Sequence, residues 1–198
     1  VCQSWSPGQD DGGQRRQRNR PHIRVQVPAA TAIPKGNDMY QSVLLTTDGS
    51  ELARAALRHV PQVLAPGGTV TVVEVIDAPA QILAKTTSAG FEYGSGSILG
   101  LDLVDQMIAA QRAGAEAELA VVRKELEQAG VAHVETVILQ GVPGDAIVSE
   151  AQKRKAEIVL MSTHGRSGFR RTVLGSVADH VLRHLDDIPI LLVHPRAK

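Results

Sequence analysis

The sequence predicts an α/β protein built on a single doubly wound open sheet of five parallel strands, in the order 3-2-1-4-5, with helices on both faces. Two observations carry the doubly wound parallel class, with which that strand order is the expectation. From Met39 onward, short β-rich runs alternate with helical stretches five times, and parallel neighbours must be joined by crossovers. The β runs are also apolar almost without interruption, as in Thr69–Ile76 (TVTVVEVI), which suits strands covered on both faces.

The elements follow in order. Ser42–Thr47 (SVLLTT) is the first strand and stops at Asp48-Gly49-Ser50. Ser50 suits the N-cap of a helix that places Leu52, Ala55, Ala56 and Val63 on one face. Pro66-Gly67-Gly68 breaks the chain before the second strand, Thr69–Ile76. Residues 77–100 read as a Gly/Ser/Ala-rich connection of weak periodicity. A long helix spans about Leu101 to Gln128, closed by Gly130. Val134–Leu139 is the third strand, and Pro143 opens a helix running to about Lys155. Glu157–Met161 is the fourth strand, 162–175 a loop, Ser176–Leu185 a helix and Pro189–Val193 the fifth strand. Open parallel sheets bind ligands beyond the carboxyl ends of their strands, where the strand order reverses. The loops to watch are therefore those at Asp48, at Asp77 and at Ser162–Ser176.

Composition narrows the function. The chain of 198 residues has 43% apolar residues, enough for a core. No apolar run approaches the roughly 20 residues of a membrane span. A single cysteine, Cys2, leaves no intramolecular disulfide and no cysteine-based zinc knuckle. No apolar leader stretch opens the chain, so the expected location is the cytoplasm. Five aromatic residues are too few for base-stacking platforms. The 21 basic and 21 acidic residues argue against a general polyanion binder. That balance hides an asymmetry: residues 1–38 carry six basic and three acidic residues (+3), the remaining 160 carry 15 and 18 (−3). The first segment lacks a sustained apolar period and reads as a disordered N-terminal extension upstream of Met39, with residues 39–198 as the working domain. A basic arm touching nucleic acid is the alternative for this segment.

The most informative stretch is Met161–Ser176 (MSTHGRSGFRRTVLGS). Gly165, Gly168 and Gly175 let backbone amides approach an anion without a Cβ in the way, and a helix starting near Ser176 offers unpaired N–H groups and a positive dipole end. Arg166, Arg170 and Arg171 add positive charge. This reads as an anion site; the bland alternative is a glycine-rich connection capped by Ser176, its arginines solvated. It is not a familiar phosphate loop, for GxxxxGK[ST] is absent and the first strand leads into Asp-Gly-Ser rather than GxGxxG. Gly94, Gly96 and Gly100 lie before the long helix, outside the position a dinucleotide fold requires.

Taken together these motifs resemble the ATP-binding branch of the universal stress protein family, over essentially residues 40–195. The family signature G-x2-G-x9-G-[ST] is matched by Gly165 and Gly175-Ser176, with Ser162 in place of the first glycine. Asp48-Gly49-Ser50, the Glu74-Val75-Ile76-Asp77 strand end and Pro189–Val193 fall in the family's order. The resemblance implies that Asp48 meets the ribose hydroxyls and that the backbone of Val75 recognises adenine. It implies that Met161 and Ser162 line the nucleoside and that Gly165, Gly175, Ser176 and Val177 hold the phosphates of ATP, with Mg2+. It further implies a stress-response role, and a homodimer formed by antiparallel pairing of the strand 189–193 edge with its twin. Serine at 162 is strained if that position needs positive φ and acceptable if it needs only small size.

Other candidates have plainer readings. Asp48 also suits a turn. His164 can bond locally within the loop. His180 and His184, spaced i, i+4, could ligate zinc but find no third ligand, so a helix-surface pair is the simpler view. Lys153-Arg154-Lys155 suits a helix C-terminus, and Glu116, Glu118, Glu125 and Glu127 suit a solvated face. No nucleophile–base set emerges. The expected function is an adenine-nucleotide-responsive, homodimeric binding module acting on an unknown protein partner. The alternatives are a slow ATPase or nucleotide-activating enzyme of related fold, and a family member that works by protein contacts without nucleotide.

Overall fold

The computed structural model describes residues 23–26, 39–88, 98–163 and 174–194. These form a sheet of β1 (Ile23–Gln26), β2 (Tyr40–Thr47), β3 (Leu64–Ile76), β4 (His133–Gln140), β5 (Ile158–Ser162) and β6 (Ile190–Val193), in spatial order β1-β6-β5-β2-β3-β4. The strands β2 to β6 are mutually parallel and, counted by themselves, run 3-2-1-4-5 as expected. The helical elements are a 3-10 helix (Ala53–His59), α1 (Val60–Val63), α2 (Pro79–Ser88), α3 (Ile98–Gln128), α4 (Pro143–Lys153) and α5 (Ser176–His184).

Four expectations need correction. Within the segment read as disordered, residues 23–26 form β1, which pairs antiparallel with β6 from Ile23↔Val193 to Gln26↔Ile190. Its Ile-Arg-Val-Gln alternation is only four residues long, too short to stand out against a Gln/Pro/Arg-rich background. The same pairing places β1 on the edge expected to meet a twin chain. The helix after Ser50 is mostly 3-10. Ser50 Oγ does accept the Ala53 N–H at 3.1 Å, but Pro61 has no amide to give an α-helical ladder, so α1 is a single turn begun around that proline. Pro66-Gly67-Gly68 does not end a strand: β3 runs through it, with a bulge that sets Leu64 opposite Tyr40 and Thr69 opposite Ser42. The connection after Asp77 contains α2, whose anchor Ile82 is fully buried. Gln111 donates to the Asp77 carboxylate at 3.1 Å and Lys85 at 2.7 Å, tying the start of α2 to α3.

The long helix ends as its glycine predicts. Gly130 adopts φ +90°, its N–H donates to Glu127 O, and Val131 N–H donates to Leu126 O. This pattern satisfies the last carbonyls while Val131 and Leu126, both buried, close the apolar contact beneath them. Glu118 of the expected solvated face is instead mostly covered and accepts from Arg54 at 2.6 Å, clamping the 3-10 helix onto α3.

Side chains alternate across the sheet and build two cores. Val43, Leu45, Val70, Val72, Ile158 and Leu160 pack with Leu119, Val122 and Leu126 of α3 and with the 3-10 helix. On the other face Leu44, Val73, Val159, Met161, Ile190 and Leu192 pack with Ile147 and Ala151 of α4 and Ala178 and Val181 of α5. Both faces of the central strands are buried, which accounts for their unbroken apolar sequence.

Candidate functional site

The strand order reverses between β2 and β5, and a cleft of about 360 Å³ opens there, at the carboxyl ends of the strands. The ladders show why. The β2–β5 pairing ends at Leu45↔Leu160 and the β2–β3 pairing at Thr47↔Glu74, whereas β3–β4 continues to Ile76↔Gln140 and β5–β6 to Ser162↔Val193. Val75, Met161 and Ser162 therefore extend past the residues that β2 pairs, and the strands part around a space that side chains of α4 and α5 floor. That volume falls within the range of small-molecule sites.

One wall is the turn after β2. Gly49 N–H donates to Thr47 Oγ1 at 3.1 Å, and Asp48 Oδ1 accepts from Ser50 N–H at 3.1 Å and Ser50 Oγ at 2.6 Å. The turn and the site readings of Asp48 thus meet in one residue: the carboxylate orders its own turn and lines the cleft. Thr46 and Thr47, both buried, stand beside it.

The opposite wall is β5 and the start of α5. Ser162 is the last residue of β5, and the non-glycine residue with positive φ among those described is Lys155. Serine at 162 is therefore unstrained, and the position calls for small size rather than a left-handed backbone. Thr163 follows; its N–H donates to Val193 O at 2.9 Å and its C=O accepts from Gly175 N–H at 2.7 Å. The two anchors of the glycine-rich loop are held together by that last bond. Gly175, not Ser176, is the N-cap of α5, with ordinary φ −71°, and among the described residues no side chain caps this helix. The N-terminus of α4, with Val142 as N-cap and Pro143 first, is likewise uncapped by a side chain and reaches the same cleft through Pro143. Two helix N-termini thus reach one cleft, an arrangement that favours an anion.

The sequence-derived residues thus come together: Asp48 and Val75 on one side, Met161, Ser162, Gly175, Ser176 and Val177 on the other, all line this cleft. Gly165, His164, Gly168 and Arg166, Arg170 and Arg171 lie outside the described residues, as do Gly94 and Gly96. Sequence reasoning passed over Thr46, Thr47, Thr163, Pro143 and Ile147, which also line it. The threonines sit at strand carboxyl ends, the signal that could have singled them out.

The histidine pair has another use. His180 Nε2 lies 2.8 Å from Asp145 Oδ1, His184 Nδ1 lies 2.8 Å from His180 O, and the two rings stack at 4.1 Å. The pair joins α5 to α4, and among the described residues no cluster of three or more metal-ligating side chains occurs. Lys153 and Arg154 bond Glu150, and Arg154 reaches on to Glu135 and Thr71, so this basic run ties α4 to the sheet. The Arg154 hydrogen bond holds the Glu150 carboxyl below its ordinary value, against the opposing effect of burial. No helix among the described residues is long and apolar enough to cross a membrane.

Comparison with known proteins adds the family. The model of the universal stress protein family matches residues 39–194. Universal stress protein MJ0531 of Methanocaldococcus jannaschii is 30% identical over 161 residues, covering 81% of this chain and 86% of that protein. MJ0577 of the same organism is 28% identical, covering 78% and 95%. The solved structure of MJ0577 superposes with a TM-score of 0.66 at 25% identity, over 81% of this chain and 100% of that one. A universal stress protein solved in complex with cAMP shares the fold, with a TM-score of 0.53 at 22% identity over 80% of this chain and 100% of that one.

Proposed function

Since the chain belongs to the universal stress protein family, we propose that its cleft binds an adenine nucleotide, ATP with Mg2+, and that the protein works as a nucleotide-responsive binding module in a stress response. The single observation that carries this reading is the meeting of the α5 and α4 N-termini with Asp48 and an apolar wall in one cleft at the switch point.

Each part of the nucleotide finds its chemistry. The β3 backbone at Val75 lies past the last β2 pair, where main-chain N–H and C=O can read the edge of adenine. Val75, Met161 and Ile147 give apolar contact to the base and sugar. The Asp48 carboxylate accepts from ribose hydroxyls. The amides at the start of α5, with the Ser176 hydroxyl, take the phosphates, and Gly175 brings no side chain into that approach. Asp48 is the carboxylate among the described lining residues, so Mg2+ is held chiefly by phosphate and water, its common mode.

Protein purified without added nucleotide and then denatured by heat should release adenine nucleotide, and calorimetry on the emptied protein should show ATP binding. Cyclic AMP, the ligand of one fold relative, belongs in the same panel. Asp48→Ala should weaken ATP about tenfold or more, roughly 1.4 kcal/mol. The absence of both release and binding would defeat the nucleotide reading and favour a module acting by protein contacts alone. Sustained phosphate release that Asp48→Ala abolishes would replace the binding module with a slow ATPase.

A further inference from the structure

We propose that the edge of β4, at the opposite end of the sheet from β1, is a docking groove for an extended protein segment with spaced acidic side chains, seated by strand addition. β4 ends the sheet order and, among the described residues, pairs with β3 alone. It is eight residues long, contains no proline, and leaves Thr136–Leu139 only half-buried. Native sheets guard such an edge with charge, proline or a covering element. The carboxylate of this strand, Glu135, is itself taken up by Arg154. The other end of the same sheet shows what an edge of this fold accepts: the four residues of β1, extended against β6.

A groove of about 400 Å³ lies beside that edge. Among the described residues its lining comes from α3 and β4 alone, which places it at the outer margin of the sheet. Leu119 and Ile138 give it apolar surface, and Arg112, Glu116 and Arg123 stand along its α3 wall. Arg123 donates to Thr136 Oγ1 at 3.2 Å. Arg112 and Glu116 have no hydrogen bond or ion pair among the described residues. Two guanidinium groups without a carboxylate partner thus face one groove, next to a strand with unpaired backbone groups.

Spacing sets the chemistry of the partner. Arg123 follows Arg112 by 11 positions, about 16 Å along a helix. Side chains of a strand share a face at every second residue. Carboxylates at positions i and i+4 of a docked segment lie about 13 Å apart, close enough for both flexible arginines to reach them with their donor forks. Glu116 stands between the arginines and repels a third acid at i+2, which leaves that position to a small residue. Positions i+1 and i+3 turn to the other face, beside the half-buried Val137 and Leu139, and are therefore apolar. Main-chain bonds to β4 supply the affinity and the arginines the selectivity, since exposed ion pairs add little by themselves. This inference does not depend on what the cleft binds.

A fluorescein-labelled peptide, Asp-Val-Ser-Val-Asp-Val, titrated with the full chain and read by anisotropy, should bind at least about tenfold more tightly than Lys-Val-Ser-Val-Lys-Val. Arg112→Glu with Arg123→Glu should reverse that preference. Should that variant misfold, Arg112→Ser with Arg123→Ser should abolish the preference without introducing repulsion. Successive residues of a strand point their N–H groups to opposite sides, so N-methylation of the acidic peptide at alternate residues should prevent binding for one of the two alternations only. Amide exchange should show new protection within Glu135–Leu139 when the acidic peptide is bound. Equal binding of the two peptides, binding indifferent to the arginines, or no binding with peptide in millimolar excess overturns the proposal. Self-association of the chain that Arg112→Glu with Arg123→Glu abolishes would give the groove to a second copy. Tighter binding of a labelled oligouridylate through the same arginines would give it to nucleic acid. Either result also overturns the proposal.

Discussion

The two faces of the sheet are built to different ends. The face covered by α3 and the 3-10 helix is filled with large aliphatic side chains, Leu57, Leu119, Leu126 and Leu160 among them, closed by the Gly130 turn beneath. The face covered by α4 and α5 uses small residues where the helices approach, Gly144, Ala151, Ala156 and Ala178, and a charged network through Arg154 at the far end of α4 from the cleft. Large side chains fill space and hold the fold. Small ones let two helix N-termini come close together at the strand ends, and the cleft is the space they leave. The first face is therefore the one expected to respond chiefly in stability, and the second the one expected to shape the cleft.

Breaking the filled face should separate the two properties most clearly. Leu126→Ala removes a side chain that is 1% exposed and should cost about 2–5 kcal/mol of stability, read by denaturant titration. Nucleotide affinity of the protein that remains folded should not change. A matching loss of affinity would mean that the faces are not separable.

The close-packed face should respond the other way. A Cβ added at Gly144 would meet His180 Cδ2 at 2.5 Å and Cγ at 2.6 Å, so Gly144→Ala must displace the His180 side chain and is expected to push α5 from α4. The expected cost is about 1–3 kcal/mol, with a several-fold loss of nucleotide affinity because Pro143 and Ser176 move apart. Adding His180→Ala to Gly144→Ala should recover much of both. A double mutant as weak as Gly144→Ala alone would show that the helices were spaced by something else.

The smallest effect is a matter of pH. Arg154 holds the Glu150 carboxyl below its ordinary value of 4.5 in the folded protein. A group depressed on folding stabilises the protein above its unfolded value, and that contribution is lost as pH falls through the folded one. Stability should therefore drop below about pH 4.5, and Glu150→Gln should flatten that acid limb while lowering stability at neutral pH. An acid limb unchanged by the substitution would assign it to other carboxylates.

Much of this was legible in the chain, and the exceptions share a cause. Strands β2, β3, β5 and β6 announced themselves because burial on both faces favours apolar runs, the half-exposed β4 by its short β-rich core Val137–Leu139, and Gly130 announced the end of α3 because few residues adopt its backbone. The residues of the cleft were found through motifs, each strong because a strand end, a turn and a helix start impose local rules. What escaped notice was set by distant partners. β1 has four residues of weak alternation and becomes a strand only because β6 offers an edge. Residues 79–88 are helical because Asp77, held by Gln111 and Lys85, and the buried Ile82 fasten them. Glu118 looked solvated until Arg54 met it.

By itself the sequence determined the α/β class and the family, since these rest on periodicity and on motifs written along the chain. Only the tertiary structure decided that Ser162 sits in extended backbone, that Gly175 rather than Ser176 caps α5, that the threonines join the cleft and that β1 covers the edge of β6. Each of those depends on which ladder stops first and what then lies beside it, a relation between residues far apart in sequence that no local pattern encodes.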